Sequence, residues 1–304
     1  MQTGETAPRV KGPRVWLDMD QQEIDNAYDQ AVWAPNREIV LARRRAMSAH
    51  TLARIGPPLR LPYGATEIEQ LDIYRTTRPD APIQIFIHGG AWRGGLAQES
   101  AFQADMYLAA GVHFVVPDFS WVQDVGGSLM TLADQVRRAV AWVYTNAARF
   151  GGNPAQLYLS GHSSGAHLGG VILATDWRQH FGLPPDIVQG AVLISGMYDL
   201  QPVRLSKRSQ YVHFDDETEE ALSPQRHLER LTTPVVLAYG TLESPEFQRQ
   251  SGAFAAALQA AGKPVELLIG EGYNHFEIQE TLGNPFGLGG RAVLQQMRRT
   301  SAWS

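Results

Sequence analysis

The pentapeptide Gly161-His162-Ser163-Ser164-Gly165 constrains the chain more than any other feature. It follows the apolar run Leu157-Tyr158-Leu159 and precedes a segment of helical character, Ser164 to Thr175. A G-x-S-x-G pattern in that setting is the signature of a sharp strand-to-helix turn, which holds the serine in a strained backbone geometry and presents its hydroxyl above a sheet. Flanking glycines let neighbouring elements approach without a Cβ clash. Gly165 and Gly169, one helical turn apart, also suggest a helix face lying close to the sheet. In a chain with 29 glycines the bare pattern can arise by chance, so its weight comes from the strand before and the helix after.

From Glu67 onward the chain alternates short β-rich runs with helical segments, the order expected of a largely parallel sheet covered on both faces. The strands are expected at Glu69 to Tyr74, Ile83 to His88, Val112 to Pro117, Gln156 to Ser160, Val188 to Ser195, Val235 to Tyr239 and Val265 to Ile269. Helices are expected at Leu129 to Arg149, Ser164 to Thr175, Pro245 to Ala261 and Gly290 to Arg299. Residues 1–60 read as an N-terminal helical arm or cap segment packed against the main domain, with periodicity over Gln21 to Met47, expected to cover the pocket or support a dimer, ahead of a catalytic domain at residues 61–304. The polar stretch 205–231 breaks the alternation and is expected to form a small cap-like excursion at the sheet edge.

Three further segments carry chemistry suited to the serine. His88-Gly89-Gly90-Ala91-Trp92 directly follows an apolar run. Its backbone N–H groups at Gly89, Gly90 or Ala91, joined by that of Ser164, suit a developing oxyanion, because a glycine-rich turn leaves them unobstructed. A general base must come from later in the chain, and His275 in Gly272-Tyr273-Asn274-His275-Phe276 follows the last expected strand. Glu243 follows the strand ending at Tyr239 and is the favoured carboxylate to orient that histidine. Asp199, in Ser195-Gly196-Met197-Tyr198-Asp199, is the alternative acid, and Glu246 is a weaker one, since a glutamate in the first turn of a helix also complements the helix dipole. His162 is expected to pack or line the site; His167, His180, His213 and His227 read as structural or solvated.

Composition narrows the remaining classes. There is no cysteine, which removes disulfides, thiolate metal sites and cysteine nucleophiles. A net charge of -5 gives no support to a nucleic-acid partner. No His-Glu-x-x-His motif and no G-x-G-x-x-G fingerprint occurs, so neither a metal nor another cofactor is implied. Met1 to Val10 lacks the apolar run of a signal peptide and no stretch of membrane-spanning length follows, so a cytoplasmic protein without a membrane role is expected. The basic run Arg43-Arg44-Arg45 reads as a solvated face of the arm rather than a membrane-binding helix.

Taken together, Leu71-Asp72-Ile73-Tyr74, His88-Gly89-Gly90-Ala91-Trp92, Gly161 to His167, Ser195 to Pro202, Ser244-Pro245-Glu246-Phe247 and His275-Phe276 resemble the α/β-hydrolases grouped around hormone-sensitive-lipase-like esterases, and more closely the kynurenine formamidase branch. The resemblance spans about residues 62–280. It implies an α/β-hydrolase fold, with Ser163 as nucleophile, Glu243 as acid and His275 as base. It also implies acyl transfer on a small-acyl carboxylic ester or an aryl amide or formamide. Two departures stand out: a glutamate where those formamidases usually carry aspartate, and Asp118-Phe119-Ser120-Trp121-Val122 where relatives often show a tyrosine-arginine-leucine sequence followed by proline. Trp92, Trp121, Tyr198 and Tyr273 are expected to form an aromatic substrate pocket. The rival reading is a small-molecule-binding protein that keeps the fold without turnover; a homodimer is a further expectation.

Overall fold

In the computed structural model, which describes residues 10–300, the alternation becomes an eight-stranded sheet. A two-stranded hairpin, β1 (Arg14–Trp16) and β2 (Met19–Asp20), precedes it. The sheet comprises β3 (Leu59–Pro62), β4 (Gln70–Tyr74), β5 (Ala81–Ile87), β6 (His113–Pro117), β7 (Gly152–His162), β8 (Gly190–Ile194), β9 (Val235–Gly240) and β10 (Val265–Gly270). Its spatial order is β10-β9-β8-β7-β5-β6-β4-β3, with β4 antiparallel to both of its neighbours, β6 and β3, and every other pair parallel. This is the α/β-hydrolase architecture that the sequence predicts.

Central strands are apolar throughout because both faces are covered: every residue of β5 and β8 is buried. Alternate side chains build two cores. Ile83, Ile85, Val115, Leu159, Leu193 and Leu237 pack with the helices Leu129–Asn146, Ser164–Leu173 and Pro245–Ala260. Phe86, Phe114, Val116, Val192 and Ile194 pack on the other face with Ala104–Ala109 and Leu288–Thr300. Local chemistry sets the helix starts. Ser128 accepts the N–H of Thr131, and Ser244 accepts that of Phe247 with Pro245 already in the first turn. The Ser-Pro-Glu-Phe sequence is thus a helix cap that also fixes the chain leaving β9.

The N-terminal segment forms helices at Gln21–Ala27, Gln30–Trp33 and Arg37–Ile55, which are fastened to the sheet domain by polar contacts. The Tyr28 hydroxyl donates to Glu246 Oε2 at 2.8 Å and Gln30 Nε2 to Ser244 Oγ at 2.9 Å, while Ser48 Oγ donates to the Glu99 carbonyl at 2.9 Å. The segment leads into β3, whose Arg60 bridges Asp72 and Asp118 at 2.5 and 2.6 Å. Segment 205–231 contains the short helical turns Lys207–Gln210, Asp216–Ala221 and Pro224–Arg226. Among the described residues no helix is long and apolar enough to cross a membrane.

Packing of the helix Ser164–Leu173 leaves no room at Gly165, where an added Cβ would lie 2.1 Å from the Ile87 carbonyl oxygen and 2.5 Å from that of His88. At Gly169 the nearest atom, 2.5 Å away, is the end of the Leu193 side chain, which can turn aside. Gly165→Ala is therefore expected to lower unfolding stability by about 3 kcal/mol or more and Gly169→Ala by about 1 kcal/mol, as read by urea denaturation; equal losses would contradict this packing account.

Candidate active site

Ser163 sits between β7 and the helix that follows, with φ 57° and ψ -124°. A non-glycine residue adopts this backbone region only when its surroundings hold it there. Here its N–H donates to the Ile194 carbonyl of β8 at 2.9 Å and its carbonyl accepts the N–H of His167 at 3.0 Å. The elbow closes on itself: a Cβ at Gly161 would lie 2.5 Å from the Gly165 carbonyl oxygen. Only glycine fits at either position.

The elbow aims Ser163 at His275. The distance from Ser163 Oγ to His275 Nε2 is 2.8 Å, and from His275 Nδ1 to Glu243 Oε2 it is 2.6 Å. A carboxylate can only accept, so Nδ1 carries the ring proton; in the neutral ring Nε2 is then free to accept the serine O–H. All three residues are buried. The other carboxylate oxygen of Glu243 accepts the Gly240 N–H at 2.7 Å and the Ser195 hydroxyl at 2.5 Å. Ser195 is fully buried and also has a positive φ, 58°. Sequence reasoning misses this residue, whose only signal is a serine at the carboxyl end of a strand.

Two other histidines stiffen the arrangement. Burial, reinforced by neighbouring His275, pushes the His162 imidazole well below its ordinary pKa. Neutral, it donates Nε2–H to the His275 carbonyl at 2.8 Å and so fixes the loop that carries the base. His167, pushed down to about 4 by burial, donates Nε2–H to the Leu222 carbonyl at 2.8 Å and accepts the Trp92 indole N–H at 3.3 Å.

The glycine turn after β5 passes directly over the serine. A Cβ at Gly89 would meet the His162 carbonyl oxygen at 2.9 Å and Ser163 Cβ at 3.2 Å. Gly90 has φ 125°, and a Cβ there would lie 2.0 Å from the Gly94 carbonyl oxygen. Ala91 and Trp92 follow with φ of 55° and 62°, and Ser164 Oγ accepts the Trp92 N–H at 3.3 Å. The N–H groups of Gly90 and Ala91 have no backbone acceptor among the described residues, and that of Ser164 opens a helix, where intrahelical acceptors are lacking.

Several expected site residues lie elsewhere. Asp199 caps the Gln201 N–H at 3.1 Å and stands 3.7 Å from Arg226, away from His275. Glu246 pairs with Arg249 at 2.5 Å. The aromatic pocket is not there. The cavity over Ser163, about 590 Å³, is lined by none of Trp92, Trp121, Tyr198 or Tyr273. Trp92 is buried against His167, and Tyr198 stacks on Phe254 with ring centroids 4.3 Å apart. Trp121 donates to the Gly95 carbonyl at 3.0 Å, and Tyr273 is 36% exposed, with its carbonyl rather than its ring bracing Leu242. None of the four faces the cavity. The walls come instead from the glycine turn, from Tyr28 to Ala31 and Arg37 to Arg45 of the N-terminal segment, and from Lys207 to Tyr211. Arg44, expected on a solvated face, is one of those wall residues.

Comparison with known proteins agrees with this architecture. The model of the BD-FAE family matches residues 71–258, more than half of the chain. Kynurenine formamidase of Danio rerio is 32% identical over 280 residues, covering 88% of this chain and 93% of that protein. Esterase LipQ of Mycobacterium tuberculosis is 29% identical over 261 residues, covering 76% of this chain and 61% of that protein. The crystal structure of esterase LipW from Mycobacterium marinum superposes with a TM-score of 0.68 at 18% identity, over 90% of this chain and 91% of that one. The chain belongs to the BD-FAE family and is a hydrolase of the α/β-hydrolase fold.

Proposed function

We propose that the chain hydrolyses a small-acyl ester or an aryl formamide through an acyl-enzyme formed on Ser163, with His275 as base and Glu243 as the acid that orients it. The observation that carries this reading is the continuous relay from Ser163 Oγ through His275 to Glu243, at 2.8 and 2.6 Å, beneath a serine held at φ 57°. Ser163 Oγ attacks the carbonyl carbon while its proton passes to His275 Nε2. The oxyanion is held by N–H groups of Gly89, Gly90 or Ala91 together with Ser164. The His275 proton then goes to the departing alkoxide or amine as the bond to it breaks. Water, deprotonated by His275, attacks the acyl-enzyme; collapse returns Ser163 and releases the acid. Throughout, Glu243 orients the ring and stabilises the imidazolium that forms.

A fluorophosphonate probe followed by intact-mass spectrometry tests the nucleophile whatever the substrate proves to be. One adduct is expected on the wild type and none on Ser163→Ala, whose kcat should fall by about four orders of magnitude or more. Labelling of the variant at wild-type rate would remove Ser163 from this role. The same relay separates the two acid candidates: Glu243→Gln is expected to lower kcat by about 10³- to 10⁴-fold, whereas Asp199→Asn changes it by less than about threefold, because it loses only a partly exposed ion pair.

Ser195 acts through Glu243. Its loss in Ser195→Ala removes one charge-assisted hydrogen bond from the carboxylate and is expected to lower kcat by about 10- to 100-fold, with KM within about twofold because the hydroxyl touches no substrate. A change confined to KM would exclude the positioning role. Comparing kcat/KM on a formanilide with that on the acetate ester of the corresponding phenol then decides which bond the site prefers.

A further inference from the structure

The wall of the cavity carries a charge opposite to that of the molecule. The chain as a whole has 31 acidic and 26 basic residues. Around the cavity stand Arg37, Arg44, Arg45, Arg93, Lys207 and Arg208, against two carboxylates, Asp29 and Glu99. Asp29 is already paired with Lys207 at 2.5 Å. Three of the other cations rest on aromatic faces: Arg37 over Phe276 at 5.7 Å, Arg93 over Tyr211 at 4.5 Å and Arg208 over Trp92 at 5.2 Å. An aromatic face steadies a guanidinium but does not neutralise it.

Arg208 is the decisive residue. It is only 5% exposed, and its Nε and Nη2 both donate to one carbonyl, that of Tyr28, at 3.2 and 3.0 Å. Its Nη1 is buried without a hydrogen-bond partner, and the carboxylate whose field reaches it, Asp29, is itself held by Lys207. On the facing segment Arg44 also has its Nη1 buried and unpartnered, with Glu99 and Glu280 acting on it through the field but forming no hydrogen bond with it. A guanidinium N–H kept from water without an acceptor is costly unless a ligand completes it, and a carboxylate matches its planar fork. Tyr28, Trp92 and the Lys207–Gln210 turn hold Arg208 beside the turn that crosses Ser163.

We propose that the substrate of this site carries a carboxylate in addition to its scissile bond, and that Arg208, assisted by Arg44, selects for it. The proposal rests on the reading of Ser163 as nucleophile. The carboxylate enters a cavity that already holds a net positive field, so the charge raises capture as well as residence. A neutral ester or formamide of the same shape places no anionic acceptor beside either Nη1.

The test compares matched aryl acetates that differ only in charge: 3- and 4-acetoxybenzoate against 3- and 4-acetoxybenzamide, with the corresponding formamides alongside. For at least one isomer, wild-type kcat/KM is expected to favour the carboxylate by about 30-fold at low ionic strength, with the preference shrinking as salt is added. In Arg208→Gln that ratio should collapse toward about one, while Arg208→Lys keeps part of it. Because Arg208 also anchors Tyr28, Arg44→Gln provides a second variant, which removes a wall charge whose Nη1 has no partner to lose; its ratio should fall about threefold to tenfold. A wild-type ratio of one or below for every pair, as a buried water on Nη1 would give, overturns the proposal, as does a ratio unmoved by either glutamine variant. Calorimetry on Ser163→Ala with the same ligands separates the two readings. Tighter binding of the carboxylates without wild-type turnover would discard the nucleophile and keep the anion site; turnover of all pairs at equal kcat/KM would do the reverse.

Discussion

The close crossing of the elbow over the end of β5 is the constraint on which the rest depends. Gly161 and Gly165 leave no space for a Cβ, and the carbonyls of Ile87 and His88 lie where one would fall at Gly165. This contact brings the helix after Ser163 down onto the sheet, and the same contact sets the glycine turn of β5 over the serine. The positive φ of Ser163 is a consequence: the chain must reverse within one residue to leave β7 and enter a helix already pressed against its neighbour strand. Strain at Ser163, and at Ala91, Trp92 and Ser195 around it, is concentrated where four strand ends meet. Such strain persists only because the surrounding sheet and helices over-determine it.

Electrostatics around that point divide into two regimes. Glu243 is buried but complete, with donors from His275, Gly240 and Ser195 on its two oxygens. A buried carboxylate so furnished is held in one orientation. His162 and His167 are held neutral by burial and serve as fixed donors to carbonyls. Inside the relay, then, every polar atom has its partner in the fold. On the cavity wall the Nη1 groups of Arg208 and Arg44 do not, although both atoms are shielded from water. The difference is the physical ground for assigning one region to the protein's own chemistry and the other to a ligand.

Much of this was legible in the sequence because it depends on local order. The strands around β5, β7, β8 and β9 announce themselves as apolar runs, and the elbow and glycine turn are short patterns with fixed neighbours. Glu243 and His275 could be found because each follows a strand at the sheet's carboxyl edge. The antiparallel start of the sheet was not visible: β3 is Leu-Arg-Leu-Pro, four residues at an edge, with a proline and only every second side chain facing the core. Its register is fixed by Arg60 reaching Asp72 and Asp118, pairings between residues 12 and 58 positions apart that no local pattern reveals.

The cavity shows why proximity in sequence is a poor guide to a binding surface. Trp92 and Tyr198 lie within a few residues of motifs that reach the site, yet a side chain next to a strained turn points wherever the turn sends it, and both rings are sent into the core. Beyond the glycine turn and the loop that carries His275, the walls are built from residues more than a hundred positions before or tens of positions after the serine, on segments whose periodicity advertises only a polar helix or a charged loop. Arg44 reads as one member of an exposed basic run until the helix Arg37–Ile55 is docked through Ser48 to the Glu99 carbonyl, which turns that face toward the cavity. A buried N–H without an acceptor is what distinguishes Arg44 and Arg208 from the basic residues beside them, and burial is a property of the assembled fold. The chemistry of bond breaking is therefore written in motifs, whereas the charge that the cavity offers to a substrate emerges only when the N-terminal helices close over it.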